Sequence, residues 1–316
     1  MQKILIDTDP GQDIDDLLAI LFALLRPELD VKAITTVTWP SDGRARLVKR
    51  LLRYMGRTNI PVSPGMEAPL YAMSDDEILR QRDLRIAMNH AAFAEPEDPA
   101  DAPDALNAVD LIIRTVEANP GEVALACLAP LTNIACALQR KPEIAKKIPY
   151  IAMMGGETTL NRTEHNVASD YIAADIVLTS GIPLYMGTWD VTRRFVLSQA
   201  DCDLFRKSGS PLHQAIGKAI DLWQLLQSWK PGPVMYDIFP IIFSFDRSLY
   251  TSEPMSVKVE TKGEVTCGMT VVGGNYPKTN VTTDINATAV RELYLETVFG
   301  ATGKVSPVAA KPSQSL

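Results

Sequence analysis

An acidic segment near the N-terminus holds the residues best suited to chemistry. Five aspartates fall within ten residues, at Asp7, Asp9, Asp13, Asp15 and Asp16. Carboxylates at the start of a helix can cap its free N–H groups, but capping accounts for only one or two of them. The others would repel one another without a cation, and calcium takes about six to eight oxygen ligands. The segment therefore predicts a calcium site. It is not an EF-hand, because Leu18 stands where the closing glutamate belongs.

An Asp-x-Asp pair after a first strand is also how haloacid-dehalogenase-like phosphatases begin. In that interpretation Asp7 is the nucleophile and the metal is magnesium. Such enzymes need a later serine or threonine, a lysine and an acidic pair in order, and this chain does not fill that series. The doublet Asp15-Asp16 is also unexplained, so the phosphatase is the lesser alternative.

Short apolar runs alternate with helical patterns through the first half of the chain. The predicted strands lie at residues 3–6, 31–37, 123–128, 148–154 and 184–186. The predicted helices lie at residues 15–25, 45–54, 105–117, 131–138 and 168–178. This alternation predicts an α/β fold with a mostly parallel central sheet flanked by helices, a Rossmann-like core. Ligands in such sheets bind beyond the carboxyl ends of the strands. We therefore expect chemistry just after Ile6, Val37, Leu128 and Met154.

The remainder of the chain gives fewer signals. Residues 198–229 have a helical pattern and residues 255–272 a strand-like one. The stretch 75–104 is charged and rich in proline and alanine, which predicts a surface excursion with short helices. Nothing marks a linker, so we expect a single α/β domain over residues 1–302, followed by a disordered tail at 303–316.

Composition limits the class of partner. The chain has 316 residues and a net charge of −7, which argues against a nucleic-acid backbone or an anionic membrane and favours a small molecule. The four cysteines are scattered, and the apolar run at the N-terminus is too short for a signal peptide. No apolar run approaches the length of a membrane span. We expect a cytoplasmic protein with reduced thiols.

Further motifs follow the acidic segment in a fixed order. They are Asp7-Thr-Asp-Pro-Gly, Asp15-Asp16-Leu-Leu-Ala-Ile20, Ala33-Ile-Thr-Thr-Val37, Pro130-Leu-Thr-Asn-Ile-Ala135, Met154-Gly-Gly156, Glu164-His-Asn166, Asp237 and Gly268-Met-Thr-Val-Val272. Each motif alone is weak, but the ordered set, from Ile4 to about Val298, resembles the inosine/uridine-preferring nucleoside hydrolase family. The resemblance implies a nucleoside-hydrolase-like fold and calcium-dependent hydrolysis of the N-glycosidic bond of ribonucleosides, which gives ribose and a free base.

The resemblance also implies roles for individual residues. The implied calcium ligands are Asp9, Asp16, the backbone carbonyl of Leu128, and Asp237. The implied contacts to the ribose come from Asp15, Met154, Glu164, Asn166 and again Asp237. Without the resemblance, the Glu164–Asn166 segment would be interpreted as an ordinary polar loop before a helix.

The reaction suits these residue types. Cleavage of an N-glycosidic bond passes through an oxocarbenium-like state, whose positive charge nearby carboxylates stabilise. The calcium ion would polarise a water molecule, which Asp9 would deprotonate for attack on the anomeric carbon. The departing base needs a proton or another means of stabilising its negative charge.

Three positions depart from the family's pattern close to the expected site. Asp13-Ile14 is a two-residue insertion, in which we interpret Asp13 as a helix cap, with support of the metal ligands as the alternative. Trp39-Pro40 replaces a Gly-Asn pair that reaches the ribose, so Trp39 either stacks on the base or covers the core. Tyr236 replaces the histidine proposed as the acid for the leaving base. It is a poorer donor than imidazolium but more fully protonated at neutral pH, and it is our candidate acid.

A fourth departure concerns the lid over the substrate. The His-Gly segment that helps close the pocket in relatives is missing from residues 75–104, where His90 is a candidate replacement. His165 is expected to be structural. Trp223 and Trp229 lie in the region where relatives place base-facing aromatics, so each is a candidate to stack on the base, with a core position as the alternative.

Two functions of different class therefore remain. The first is a hydrolase of ribonucleosides or related ribosyl compounds, with a role in nucleoside salvage. The second is a ribosyl- or sugar-binding protein with little turnover, which the changes at Trp39 and Tyr236 favour. Relatives are dimers or tetramers, so by analogy we expect a homodimer or homotetramer. The sequence does not name the base.

Overall fold

The structure is a computed structural model that describes residues 1–76, 78–80 and 98–300. The predicted tail and His90 lie outside the described residues. Within them, the sheet contains the strands β1 (Gln2–Thr8), β2 (Leu29–Thr36), β3 (Val62–Pro64), β4 (Val123–Cys127), β5 (Ile151–Met154), β6 (Leu184–Gly187), β7 (Tyr250–Val259), β8 (Thr270–Val272) and β9 (Lys278–Ile285).

The α-helices cover both faces of this sheet. They are α1 (Asp15–Leu25), α2 (Ser41–Tyr54), α3 (Ala108–Ala118), α4 (Thr132–Arg140), α5 (His165–Ser169), α6 (Tyr171–Leu178), α7 (Trp189–Thr192), α8 (Gln199–Lys207), α9 (Pro211–Leu226), α10 (Ile238–Phe243) and α11 (Ala287–Phe299). Short 3-10 helices lie at Pro99–Asp101 and Pro142–Lys147. In the part of the chain that the structure describes, no helix has both the length and the apolar character needed to cross a bilayer.

The strand order is β3-β2-β1-β4-β5-β6-β9-β7-β8. Every neighbouring pair from β3 to β9 is parallel, whereas β7 runs antiparallel to both β9 and β8. The predicted mostly parallel α/β sheet is therefore confirmed. From β1 the chain adds β2 and β3 on one side of the sheet, and from β4 it adds β5 and β6 on the other side. The loops that follow β1 and β4 therefore lead in opposite directions. A crevice forms at such a reversal of strand order.

Alternation along the central strand explains the two core layers. Ile4 and Ile6 of β1 pack in one hydrophobic cluster with α1, α9 and α11, while Leu5 packs in the other with α3, α4 and α6. Successive side chains of a strand point to opposite faces, so a strand covered on both sides must be apolar throughout. Helix α1 is buried from its first residue to Leu24, which places its two N-terminal aspartates inside the molecule.

Several elements differ from their predicted bounds. Helix α1 has the predicted bounds, but the helical pattern at 198–229 is divided into α8 and α9, since Pro211 begins a new helix after the N-cap Ser210. The strand-like stretch 255–272 covers the second half of β7 and all of β8, which pair antiparallel across an intervening turn. Elements β3, β9, α10 and α11 were not predicted. β9 is rich in threonine and charge, and α10 spans only six residues and contains Pro240, so neither shows a clear apolar period.

Candidate active site

A cavity of about 540 Å³ lies beyond the carboxyl ends of β1, β4 and β5. The predicted site residues that line it are Asp9, Asp15, Asp16, Leu128, Met154, Glu164, Asn166, Tyr236 and Asp237. Three of the four expected loops, those after Ile6, Leu128 and Met154, therefore contribute to one cavity. The loop after Val37 does not. The volume falls in the range of about 300–1,000 Å³ that is usual for small-molecule sites.

Three buried carboxylates form the acidic end of the cavity. Oxygens of Asp15, Asp16 and Asp237 all lie within 4.8 Å of one another. The first two belong to the opening turn of α1, and Asp237 immediately precedes α10, whose residues are all buried. Gly187 permits the close approach of α10, because a Cβ there would lie 2.3 Å from the ring of Phe239. A hard divalent cation would find three anionic oxygen donors at this point.

Burial makes these carboxylates unusual acids. Burial, reinforced by the charge of Asp9, raises the pKa of Asp16 to about 8. Burial and the neighbouring aspartates likewise raise the pKa of Asp15 and of Asp237 well above the ordinary range. In the absence of a cation, the cluster therefore retains protons near neutral pH, because low polarity and mutual repulsion both disfavour the charged form.

The acidic segment is held in place by its own hydrogen bonds. Oδ1 of Asp16 accepts from the Thr8 hydroxyl at 2.5 Å and from the Asp9 N–H at 3.0 Å. Asp7 is completely buried, and its Oδ1 accepts from Thr35 at 2.6 Å and Asn133 at 2.8 Å. Asp7 is thus enclosed in the sheet and does not line the cavity, which contradicts the nucleophile role required by the phosphatase alternative.

Asp13 is not the N-cap residue of α1, contrary to the prediction from the sequence. The N-cap position is Ile14, which makes no side-chain capping bond. Oδ1 of Asp13 accepts from the Ile14 N–H at 2.9 Å and from Trp223 Nε1 at 2.7 Å, and Asp13 forms an ion pair of 2.7 Å with Lys230. The insertion in the acidic segment therefore binds to residues more than 200 positions later, a contact that no local pattern indicates.

Neither predicted base-stacking residue at Trp39 or Trp223 lines the cavity. Trp223 is fully buried, and its indole N–H is engaged by Asp13. Trp39 follows Thr38, whose φ of +68° is rare for a β-branched residue, and the backbone N–H of Trp39 donates to Glu67 O. The structure thus supports the core interpretation of Trp223, whereas Trp39 is half-buried outside the cavity lining and the exposed Trp229 lines the cavity.

Arg44 is a buried residue of this region that the sequence analysis missed. Its guanidinium donates to the backbone carbonyls of Asp9, Pro10 (2.9 Å), Thr38 (3.1 Å) and Trp39 (3.3 Å). Its charge also lowers the pKa of Asp16, against the larger effect of burial. One side chain of α2 therefore holds the acidic segment against the 38–40 loop.

The Met154-Gly-Gly segment positions the predicted sugar-binding residues. Gly156 has a φ of +80°, and a Cβ there would lie 2.9 Å from Met186 Sδ. The Glu164 carboxylate accepts from the N–H groups of Gly156 (2.9 Å), Asn166 (2.8 Å) and Val167 (3.0 Å), so it caps α5 as well as lining the cavity. Both the helix-loop interpretation and the site interpretation of Glu164 have structural support.

Asn166 links two of the strand-end loops. Its Nδ2 donates to the carbonyl of Leu128 at 2.7 Å and to that of Met154 at 3.2 Å. The Leu128 carbonyl, the predicted backbone ligand, therefore faces the cavity side of β4 and retains a second lone pair. His165 also lines the cavity and is exposed, contrary to the structural role expected for it.

Tyr236 lies on the cavity wall next to an aromatic residue that was not predicted. Burial and the charges of Asp15 and Asp13 raise the pKa of Tyr236 to about 12, although a hydrogen bond with Trp189 acts in the opposite direction. Trp189 itself lines the cavity at the start of α7, with its backbone N–H bonded to Gly156 O at 2.9 Å. At neutral pH the phenol is a hydrogen-bond donor that remains protonated.

Known proteins of similar sequence and structure agree on one activity class. The family model described as inosine-uridine preferring nucleoside hydrolase matches residues 4–292. The chain is 36% identical to the pyrimidine-specific ribonucleoside hydrolase RihA of Citrobacter koseri over 314 residues, which cover 93% of this chain and 96% of that protein.

Solved structures with the same architecture include two further nucleoside hydrolases. A plant nucleoside hydrolase, PpNRh1, superposes with a TM-score of 0.80 at 26% identity over 94% of this chain and 98% of the other. A purine-preferring ribonucleoside hydrolase from Gardnerella vaginalis has a TM-score of 0.82 at 24% identity, over 94% and 98% of the two chains, and supports the fold. The sheet is mostly parallel, and the cavity lies where the strand order reverses. Together with the sequence matches, this shows that the chain belongs to the inosine-uridine preferring nucleoside hydrolase family and is an N-glycosyl hydrolase.

Proposed function

We propose that this protein is a calcium-dependent ribonucleoside hydrolase in which Asp9 activates the attacking water. Pyrimidine ribonucleosides are the first candidate substrates, because relatives at about one-third identity are named as pyrimidine-specific. The observation on which the proposal depends is the cluster of Asp15, Asp16 and Asp237 in a cavity of nucleoside size.

The donor set fits a calcium ion. Three buried carboxylates whose pKa values burial raises are poorly accommodated as anions until a cation neutralises them. Asp16 and Asp237 would hold the ion together with Asp9 and the carbonyl of Leu128. All of these donors are oxygens, which calcium prefers. Bound there, calcium would lower the pKa of a coordinated water and orient a vicinal diol, which predicts selectivity for ribose over deoxyribose.

Each residue of the cavity has a separate role in the proposed reaction. Asp9, at the end of β1, removes a proton from the attacking water. Asp15, Glu164 and Asn166 accept from or donate to the ribose hydroxyls, and the surrounding carboxylates stabilise positive charge at the anomeric carbon. Tyr236 donates a hydrogen bond towards the leaving base. With a pKa raised to about 12, it stabilises the departing base without transferring its proton completely.

The test compares uridine, cytidine, inosine and deoxyuridine as substrates, with release of reducing sugar as the readout. Asp9→Asn is expected to lower kcat by about 10²–10⁴-fold, because the general base is lost. Chelation with EGTA is expected to abolish turnover, and calcium to restore it. The control is Asp42→Asn, whose carboxylate is exposed and pairs with Arg46 on α2, and this variant should keep wild-type activity. Full activity of Asp9→Asn, or turnover that persists after chelation, would contradict the proposal.

A further inference from the structure

Two arginines, Arg162 and Arg193, lie against the ring of Trp189, which lines the cavity. The proposed hydrolysis uses neither of them. The Cζ atom of Arg162 lies 3.9 Å from the centre of the Trp189 ring, and that of Arg193 lies 4.5 Å from the same centre. Arg162 and Trp189 both line the cavity. Guanidinium groups stack favourably on aromatic rings, but two cations on one ring also repel each other.

Neither arginine is paired with a carboxylate at the acidic end of the cavity. Among the described residues, no carboxylate forms an ion pair with Arg162 or Arg193, although many other basic side chains are paired. Lys230, a further cation on the cavity wall, is already paired with Asp13 at 2.7 Å. The positive charge at Trp189 therefore has no anion supplied by the described part of the protein.

Hydrogen bonds hold the segment that carries Arg162 in a defined conformation. Glu157 is buried, and its Oε1 accepts from the Thr159 N–H (2.7 Å), the Thr159 hydroxyl (2.8 Å) and the Leu160 N–H (3.1 Å). The N–H of Arg162 then donates to Leu160 O at 2.9 Å, and its Nε donates to Thr163 O at 3.1 Å. Nε is engaged, and Cζ lies over the Trp189 ring. Among the described residues no hydrogen bond involves the Nη groups of Arg162, so they can bind a ligand.

From this arrangement we infer that Arg162, supported by Trp189 and Arg193, forms a subsite for an anionic group carried by the ribosyl ligand, a carboxylate or a phosphate. The planar fork of an arginine matches either group with two hydrogen bonds. The cavity then has two ends of opposite sign. The acidic end takes the cation and the ribose diol, and the basic end takes the ligand's anion. The inference rests on the proposed ribosyl function and narrows its substrate class.

Binding and turnover test the subsite separately. Calorimetry would compare ribose with ribose 5-phosphate in the calcium-loaded protein. Kinetics would compare uridine with uridine 5′-monophosphate and with orotidine, which bears a carboxylate on its base. For at least one anionic ligand, we expect tighter binding or a higher kcat/KM than for its neutral counterpart. Arg162→Gln should reduce that preference about 10- to 100-fold and leave the neutral ligand within about threefold.

Two further variants separate charge from geometry. Arg162→Lys keeps the charge without the fork and should recover only part of the preference. Arg194→Gln is the matched control, since Arg194 is exposed and pairs with Asp284 at 2.7 Å outside the cavity, and it should behave as wild type. A preference for the phosphate ligands assigns the anion to the ribose, and a preference for orotidine assigns it to the base.

The inference is overturned if wild type favours no anionic ligand, or if Arg162→Gln keeps the wild-type preference. Failure of the proposed function has a different signature, which is the absence of sugar release from every riboside while Arg162-dependent binding of ribose 5-phosphate persists.

Discussion

At the scale of single residues, the site depends on buried side chains that do not line the cavity. Arg44 is 3% exposed and donates to four backbone carbonyls from two loops. It therefore holds the backbone of Asp9 in position from outside the cavity. Asp7 performs a similar task from the sheet through Thr35 and Asn133. The residue proposed to activate water and the residues that hold its backbone are therefore distinct.

Arg44→Met tests this positioning role. The substitution keeps the length of the side chain but leaves buried carbonyls without donors, which should lower the free energy of unfolding by about 2–4 kcal/mol. Because the backbone of Asp9 loses its support, kcat should fall about tenfold or more while the calcium requirement persists. Urea denaturation and uridine kinetics provide the measurements. The control is Arg46→Met on the same helix, which removes a surface pair with Asp42 and should cost less than about 1 kcal/mol. Equal effects of the two substitutions would refute the role of Arg44.

At the scale of elements, the acidic segment is tied to the connection between α9 and α10. Asp13 contacts Trp223 at the end of α9 and Lys230 in the segment that leads to Asp237. That connection also supplies Gln227, Trp229 and Tyr236 to the cavity wall. One inserted carboxylate therefore links the acidic segment to the part of the cavity wall that carries Trp229 and Tyr236.

A double-mutant cycle measures this coupling. Asp13→Asn and Lys230→Met each remove one partner of an ion pair whose side chains are 29% and 12% exposed. We expect a coupling free energy of about 1 kcal/mol, larger than that of a fully exposed pair, because water screens this pair incompletely. The pair Asp203–Lys207 on the surface of α8 is the control, with about 0.3–0.5 kcal/mol expected. If the losses in the free energy of unfolding at Asp13 and Lys230 are strictly additive, the ion pair contributes no coupling free energy and the prediction is wrong.

At the scale of the whole molecule, the proposed cation would stabilise the fold, because the metal-free carboxylates destabilise it as they ionise. Burial raises the pKa of Asp16 to about 8 and that of Asp7 to about 7, whereas both titrate near pH 4 in an unfolded chain. Between those values the folded, metal-free protein binds more protons than the unfolded chain. The contribution of these two groups to stability is therefore full below about pH 4 and is lost as the pH rises towards 8.

Thermal unfolding with and without calcium checks this dependence. In EGTA, the Tm is expected to fall by about 5 °C or more between pH 5 and pH 8, because a few kcal/mol of stability are lost. In calcium the fall should shrink or reverse, since the ion binds the ionised carboxylates and displaces their protons. Calorimetry at pH 7 in buffers of different ionisation enthalpy should show proton release on calcium binding. A Tm in EGTA that rises between pH 5 and pH 8 would contradict the assignment.

Local sequence determined much of this protein. The apolar run of β1 and the first turn of α1 predicted a parallel sheet and an acidic site, since these depend on periodicity and on loops at strand ends. Most of the other lining residues were implied by the resemblance of the ordered motifs to a known family. Only the tertiary structure decided that Asp13 pairs with Lys230, that Arg44 holds the acidic segment, and that Trp189 and Trp229, rather than Trp39 and Trp223, face the cavity. The reason is physical. Each of these contacts joins residues distant in sequence, or depends on how a loop turns, and packing between elements sets both.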